Sequence, residues 1–201
     1  GVLVDRVLRG VVREAALERA QSLPKVYLSP MAVSDLEMIA VGAFSPLTGF
    51  MDKLTYQTVL DDMRLPNGLA WTVPVTLAVT SEQAAALKEG QEIALIERTA
   101  EGADHIMGIL ELAEKFGYAK EEEAAAVYRT TETAHPGVAR LFAQGDVLLA
   151  GSIFLLNRPS VLEFPELRHD PAQARRLFAA NGWRRIVAFQ TRNPIHRAHE
   201  Y

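Results

Sequence analysis

The sequence predicts a β-rich α+β unit followed by the opening of an α/β unit, and three observations predict it. Short apolar runs separated by turn residues crowd residues 71–156, the pattern of small strands. Pro159 and Pro165 then interrupt every periodicity between Asn157 and Arg168, which marks a domain boundary. Beyond it, a capped helical run leads into the apolar stretch 185–189 and a segment dense in polar side chains, the order strand-then-helix of a parallel α/β unit.

Each element follows from local chemistry. Residues 11–23 set Val12, Ala15, Ala16, Ala20 and Leu23 among charged side chains, which predicts an amphipathic surface helix. Ser34 with Glu37 reads as a capping box, and Gly42 as the stop of the short helix it opens. Residues 43–51 combine Pro46, Gly49, Phe44 and Phe50 and predict a structured loop with inward aromatics. A helix over 52–63 follows, then the turn at Leu65, Pro66, Asn67 and Gly68. Residues 71–79 alternate as a strand, with Trp71 as core, and Pro74 within it favours an edge or a bulge. A capped helix over 81–90 precedes strands at 92–96 and 105–110, joined across the polar turn 99–104. Residues 120–129 form a charged helix on which Glu121, Glu122 and Glu123 read as a solvated face, and 146–156 supplies one or two strands around Gly151. His105 and His169 read as structural or exposed, and His135, Pro136 and Gly137 as a plain turn. Finally, Asp170 caps a helix with Pro171 at its first position and Gly182 beyond its end.

The candidate site is the segment Gln190, Thr191, Arg192, Asn193, Pro194, Ile195, His196, Arg197, Ala198, His199. Asn193 occupies a natural N-cap and Pro194 a first helical position, so the helix expected there would aim its unpaired N–H groups at whatever Gln190 and Arg192 hold. His196 and His199 would share one face of its first turns. Arg184, Arg185, Arg192 and Arg197 stand against Glu200 alone, so an anion is drawn there. Phosphate chemistry is the favoured reading. A solvated turn and a zinc site on the two histidines stay open, although zinc lacks a visible third ligand, and no protein-held metal is expected.

The same ten residues resemble the signature of the ATP sulfurylase (sulfate adenylyltransferase) family, within the nucleotidyltransferases that share an H-x-x-H turn. The resemblance extends to residues 42–51, to 65–68 with Trp71 and 74–77, and to 135–138, in order along essentially the whole chain. It implies a PUA-like β-rich domain over 1–160, followed over 161–201 by the first strand and helix start of a Rossmann-like nucleotidyltransferase domain. It implies that ATP and sulfate give adenylyl sulfate and pyrophosphate, with Mg²⁺ accompanying ATP. It places Gln190 and Arg192 on sulfate, Gln190, Thr191, Arg192 and Asn193 beside the nucleotide phosphates, and His196 and His199 as stabilisers of the transition state. A homo-oligomer, most simply a dimer, goes with the family. The chain reads as the amino-terminal part of a longer protein, inactive as these 201 residues alone. Two other readings are another H-x-x-H adenylyltransferase and a non-enzymatic RNA-binding module of the PUA type.

Composition bounds these choices. A formal net charge of -4 argues against general attraction to nucleic acid or to an anionic membrane. The absence of cysteine removes disulfides and thiolate catalysis and is compatible with the cytoplasm, the expected location. Residues 147–156, the most apolar stretch, are too few to span a bilayer.

Overall fold

The sheet is organised around one 14-residue strand, β5 (Asp104–Gly117), which pairs antiparallel with β4 (Glu92–Arg98) on one side and β6 (Val147–Leu155) on the other. A computed structural model describes residues 1–199, and among them six strands form one mixed sheet. Its order is β1-β4-β5-β6-β2, with β1 at Lys25–Tyr27 and β2 at Gly49–Phe50. β3 (Leu77–Val79) pairs with the first residues of β6 and β2 with the residues after them. β1 runs parallel to β4, with Val26 opposite Leu95. Register shifts at Leu95/Ile96 and Leu112/Glu114 act as bulges that increase the local twist.

Apolar side chains alternate between two faces of this sheet. On the first, Ile93, Leu95, Leu110, Leu112, Leu149 and Ile153 join the largest core cluster. Helix α2 (Pro30–Ala40) covers it with Ala32, Val33, Leu36, Ile39 and Ala40, the spacing of one helical face. Each Leu or Ile so buried contributes about 1.5–3 kcal/mol. On the second face, Ala94, Ile96 and Ile109 meet Ala16 and Ala20 of α1 (Gly10–Ala20), with Leu17 and Leu23 at the margin. The predicted stripe on α1 is therefore narrower than expected, because Val12 is exposed. Arg13 turns toward the sheet instead, its Nε donating to the Leu156 carbonyl at 2.5 Å.

Several expectations hold in detail. Asp52 accepts from Thr55 N–H at 2.7 Å and so opens α3 (Lys53–Asp62), and Thr80 caps α4 (Ser81–Ala86) in a capping box with Gln83. Gly42, at φ +83°, ends the turn after α2. Phe50 is buried, and Phe44 meets Trp71 edge-on with ring centroids 5.9 Å apart. His105 is structural, its Nε2 lying 2.8 Å from the Arg158 carbonyl, and His169 is exposed.

Other expectations are corrected. Ser34 does not open α2: Ser29 does, accepting from Ala32 N–H at 3.2 Å with Pro30 at the first helical position, so Ser34 and Glu37 lie inside the helix. The strand expected over 71–79 shrinks to β3, because Pro74 offers no N–H to a ladder. The one or two strands expected over 146–156 are one, β6, as that reading allowed. Glu123 is not solvated. It faces α3 from α5 (Lys120–Tyr128) and accepts the Tyr56 hydroxyl at 2.8 Å, and burial raises its pKa. His135 is more than a turn residue: it precedes α6 (Pro136–Phe142), its Nδ1 accepting from Gly137 N–H at 3.2 Å.

After β6 the chain crosses the proline-bearing stretch and enters α7 (Pro171–Ala180), which starts at Asp170 as predicted. The Asp170 N–H donates to Gln173 Oε1 at 2.7 Å, and Gly182 at φ +67° follows the helix end. α7 buries none of its residues. Among the described residues, no helix is long and apolar enough to cross a membrane.

Candidate functional site

The segment leading to the site is exposed. Residues 183–190 pair with no strand, and Val187 is 93% exposed and Phe189 60%. The buried parallel strand expected at 185–189 is thus absent from the described fold. A parallel strand needs a neighbour to pair with and helices over its faces, and the β1–β6 sheet supplies neither at this place.

The helix expected from Asn193 and Pro194 is likewise absent. Thr191 bends the chain locally: its Oγ1 accepts from Asn193 N–H at 3.0 Å and donates to the Asn193 carbonyl at 3.2 Å. This is a side-chain-closed turn of the kind threonine favours outside helices. Helical geometry appears only at a short 3-10 turn, Arg197–His199. His196 stands just before it, with Nδ1 accepting from Ala198 N–H at 3.3 Å. With Nδ1 occupied as an acceptor, the neutral ring carries its proton on Nε2. The side chain of His199, and Glu200 of the local charge count, lie outside the described residues.

Thr191 is half-buried, whereas Gln190, Arg192, Asn193 and His196 are exposed. The structure brings Thr191 and Asn193 into contact and sets His196 against the 3-10 turn. Among the described residues, no carboxylate lies within ion-pair distance of Arg184, Arg185, Arg192 or Arg197. Four guanidinium groups along 14 residues, with no acidic partner among the described residues, make a field that favours a polyanion. Among the described residues, no group of three His, Asp or Glu side chains is placed to hold a metal ion.

A second constellation escaped the sequence reading. Glu37, buried on α2, receives Arg158 Nη1 at 3.1 Å and Arg168 Nη2 at 2.7 Å, and Arg158 also pairs with Asp170. The signal available was a glutamate among Leu36, Ile39 and Ala40 on an otherwise apolar helix face, where a buried carboxylate requires cationic partners.

Known proteins agree with this division of features. Residues 1–158 match the family model of the PUA-like domain, and residues 165–201 match that of ATP-sulfurylase. The sulfate adenylyltransferase of Synechococcus sp. (strain JA-3-3Ab) is 55% identical over 201 residues, all of this chain and 50% of that protein. That of Symbiobacterium thermophilum is 52% identical over the same span, again 50% of its length. A solved structure titled hexameric APS kinase from Thiobacillus denitrificans superposes with a TM-score of 0.74 at 32% identity, covering all of this chain and 34% of that one. The chain spans about half the length of the curated relatives it matches. A PUA-like match over most of the chain, followed without overlap by the ATP-sulfurylase match and carried by both relatives at full coverage, means that the chain belongs to the PUA-like domain family, in the form that opens sulfate adenylyltransferases.

Proposed function

We propose that this chain is the amino-terminal part of a sulfate adenylyltransferase, which joins ATP and sulfate into adenylyl sulfate and pyrophosphate. In this reading residues 1–160 form the PUA-like domain, and 161–201 begin a Rossmann-like catalytic domain. The observation that carries the proposal is the ATP-sulfurylase match over 165–201, which contains the whole Gln190 to His199 segment with its arginines.

The chemistry requires that two anions be held against their repulsion. A sulfate oxygen attacks the α-phosphorus, the new S–O–P linkage forms, and the bond to the β-phosphate oxygen breaks with its electron pair leaving on pyrophosphate. Sulfate is fully ionised at neutral pH, so no general base is needed. The protein contributes orientation and charge neutralisation. Arg192 grips sulfate through two N–H groups with Gln190 beside it, and Thr191, Arg192 and Asn193 line the phosphates. His196 and His199 donate to oxygens on which charge develops, and the Ala198 N–H on His196 Nδ1 is compatible with a ring proton on Nε2. Mg²⁺ enters as MgATP, bound through phosphate and water.

The protein is read as a cytoplasmic homo-oligomer, most simply a dimer, that binds neither nucleic acid nor membrane. The solved relative is titled hexameric, which supports assembly without fixing its order. The test is pyrophosphate release from MgATP by the full-length protein. Release that requires sulfate, or molybdate in its place, supports the assignment; adenylylation of another acceptor with no response to sulfate overturns it.

A further inference from the structure

Helix α7 precedes the candidate site, yet buries no residue of its own. What ties it to the PUA-like domain is polar. Glu37 holds Arg158 and Arg168 from the two ends of the proline-bearing stretch, Arg158 reaches Asp170 at the start of α7, and Arg175 Nη1 donates to the Gly1 carbonyl at 2.9 Å. A cavity of about 170 Å³ lies at this junction, lined by Glu37, Arg158, Arg168, Asp170 and Gln173 together with Leu162 and Pro165. The Glu37 side chain is 5% exposed, against 34% for Arg158 and 42% for Arg168, so a buried carboxylate on the sheet-covering helix holds two half-exposed cations, one just after β6 and one just before α7.

We infer that Glu37 is a positioning residue: by clamping Arg158 and Arg168 it sets the angle at which α7 leaves the PUA-like domain, and with it the placement of the Gln190 to His199 segment. The inference rests on the sulfate adenylyltransferase reading for its kinetic consequence, and on the ion-pair geometry alone for its structural one. A neutral Glu37→Gln side chain keeps the shape of α2 and can still accept from one guanidinium, but it no longer holds two cations. A shift on the order of 1 Å at a reacting group is enough to lower a rate by about 10²-fold.

The experiment uses the full-length protein and reads amide exchange and kinetics together. In Glu37→Gln, exchange across residues 165–182 should quicken by about tenfold or more while β4, β5 and β6 keep their protection. kcat for sulfate-dependent pyrophosphate release should fall by about tenfold or more, with KM for ATP and sulfate changing far less. The double variant Glu37→Gln with Arg168→Gln should be no slower than the worse single variant, because both act through one clamp. Arg168→Gln alone, a half-exposed change that spares α2, carries the same test if Glu37→Gln does not fold. Unchanged exchange over 165–182 overturns the clamp, and quickened exchange with wild-type kcat overturns its positioning role. A wild-type enzyme indifferent to sulfate sinks the functional reading instead, and the exchange result then decides the clamp by itself.

Discussion

The Tyr56 hydroxyl donates to Glu123 Oε2 at 2.8 Å, joining α3 to α5 through a carboxyl that is 8% exposed. Burial raises the Glu123 pKa, and the tyrosine hydrogen bond opposes that rise. The folded state therefore binds a proton more readily than the unfolded chain does. Stability from this site is fully present below the ordinary glutamate range, near 4.3, and is lost as pH rises through the folded value.

Glu123→Gln keeps an acceptor for Tyr56 and carries no charge. Its stability relative to the wild type should rise as pH goes from about 4 toward neutral and then level off. Tyr56→Phe should cost about 1–3 kcal/mol at neutral pH, because it leaves a buried acceptor without its donor. Urea unfolding of both variants across pH measures this, and curves parallel to the wild type would remove the coupling.

Asp35 offers a cleaner titration. Burial on α2 pushes its pKa from 3.8 up to about 6. Asp35→Asn should accordingly be more stable than the wild type above pH 6, by on the order of 1 kcal/mol once solvent screening of this half-buried side chain is allowed for. The gain should shrink through pH 6 to 4 and vanish below the unfolded aspartate value. An Asn variant no more stable at pH 7.5 would show that Asp35 is solvated in the folded protein.

Gly49 and Gly151 meet where β2 crosses β6. A Cβ on Gly49 would lie 1.7 Å from the Gly151 carbonyl oxygen, and a Cβ on Gly151, at φ +152°, would lie 1.9 Å from the Glu111 carbonyl oxygen. Neither obstacle is a side chain that can swing away. Gly49→Ala should cost about 3 kcal/mol or more, read as a fall in the urea midpoint with an unchanged slope. Wild-type stability would mean that β2 does not pack so closely.

The site residues make a kinetic forecast in the full-length protein. Arg192→Lys should lower kcat/KM for sulfate by about 10² or more, since an ammonium cannot reproduce a two-pronged contact. His196→Ala and His199→Ala should each lower kcat by about 10² to 10³, with a smaller change in KM for ATP. Partial recovery with Asn, which keeps an N–H donor, excludes an obligatory proton shuttle. Activity lost to a zinc-specific chelator and restored by Zn²⁺, with zinc missing from the histidine variants, would replace the phosphate role by a metal site.

Much of the fold was legible because local chemistry and tertiary structure agree. Asp52, Thr80 and Asp170 each start a helix where their side chains predict one, and the turn at 99–104 joins the two strands expected around it. Two of the failures share a cause, which is that a side chain's partner lies far away in sequence. Glu37 looks like a capping residue until Arg158 and Arg168 are brought to it, and Glu123 looks solvated until Tyr56 arrives. Within the candidate site, the sequence identifies the residue types and the cationic field. It does not predict that 183–190 stays unpaired or that Thr191, not Asn193, closes the turn, because both depend on which backbone groups find neighbours.

The parallel pairing of β1 has a consequence for how the chain folds. Lys25 sits opposite Ala94, so this contact closes a loop that contains α2, β2, α3, β3 and α4. The β4–β5 hairpin closes only the short turn between Arg98 and Asp104. Loop-closure entropy is therefore small for the hairpin and large for β1, and pairing across such sequence separations slows folding. The hairpin is therefore the pairing that costs least to form, and β1, like β2 and β3 on β6, has to wait for chain segments far apart in sequence to meet.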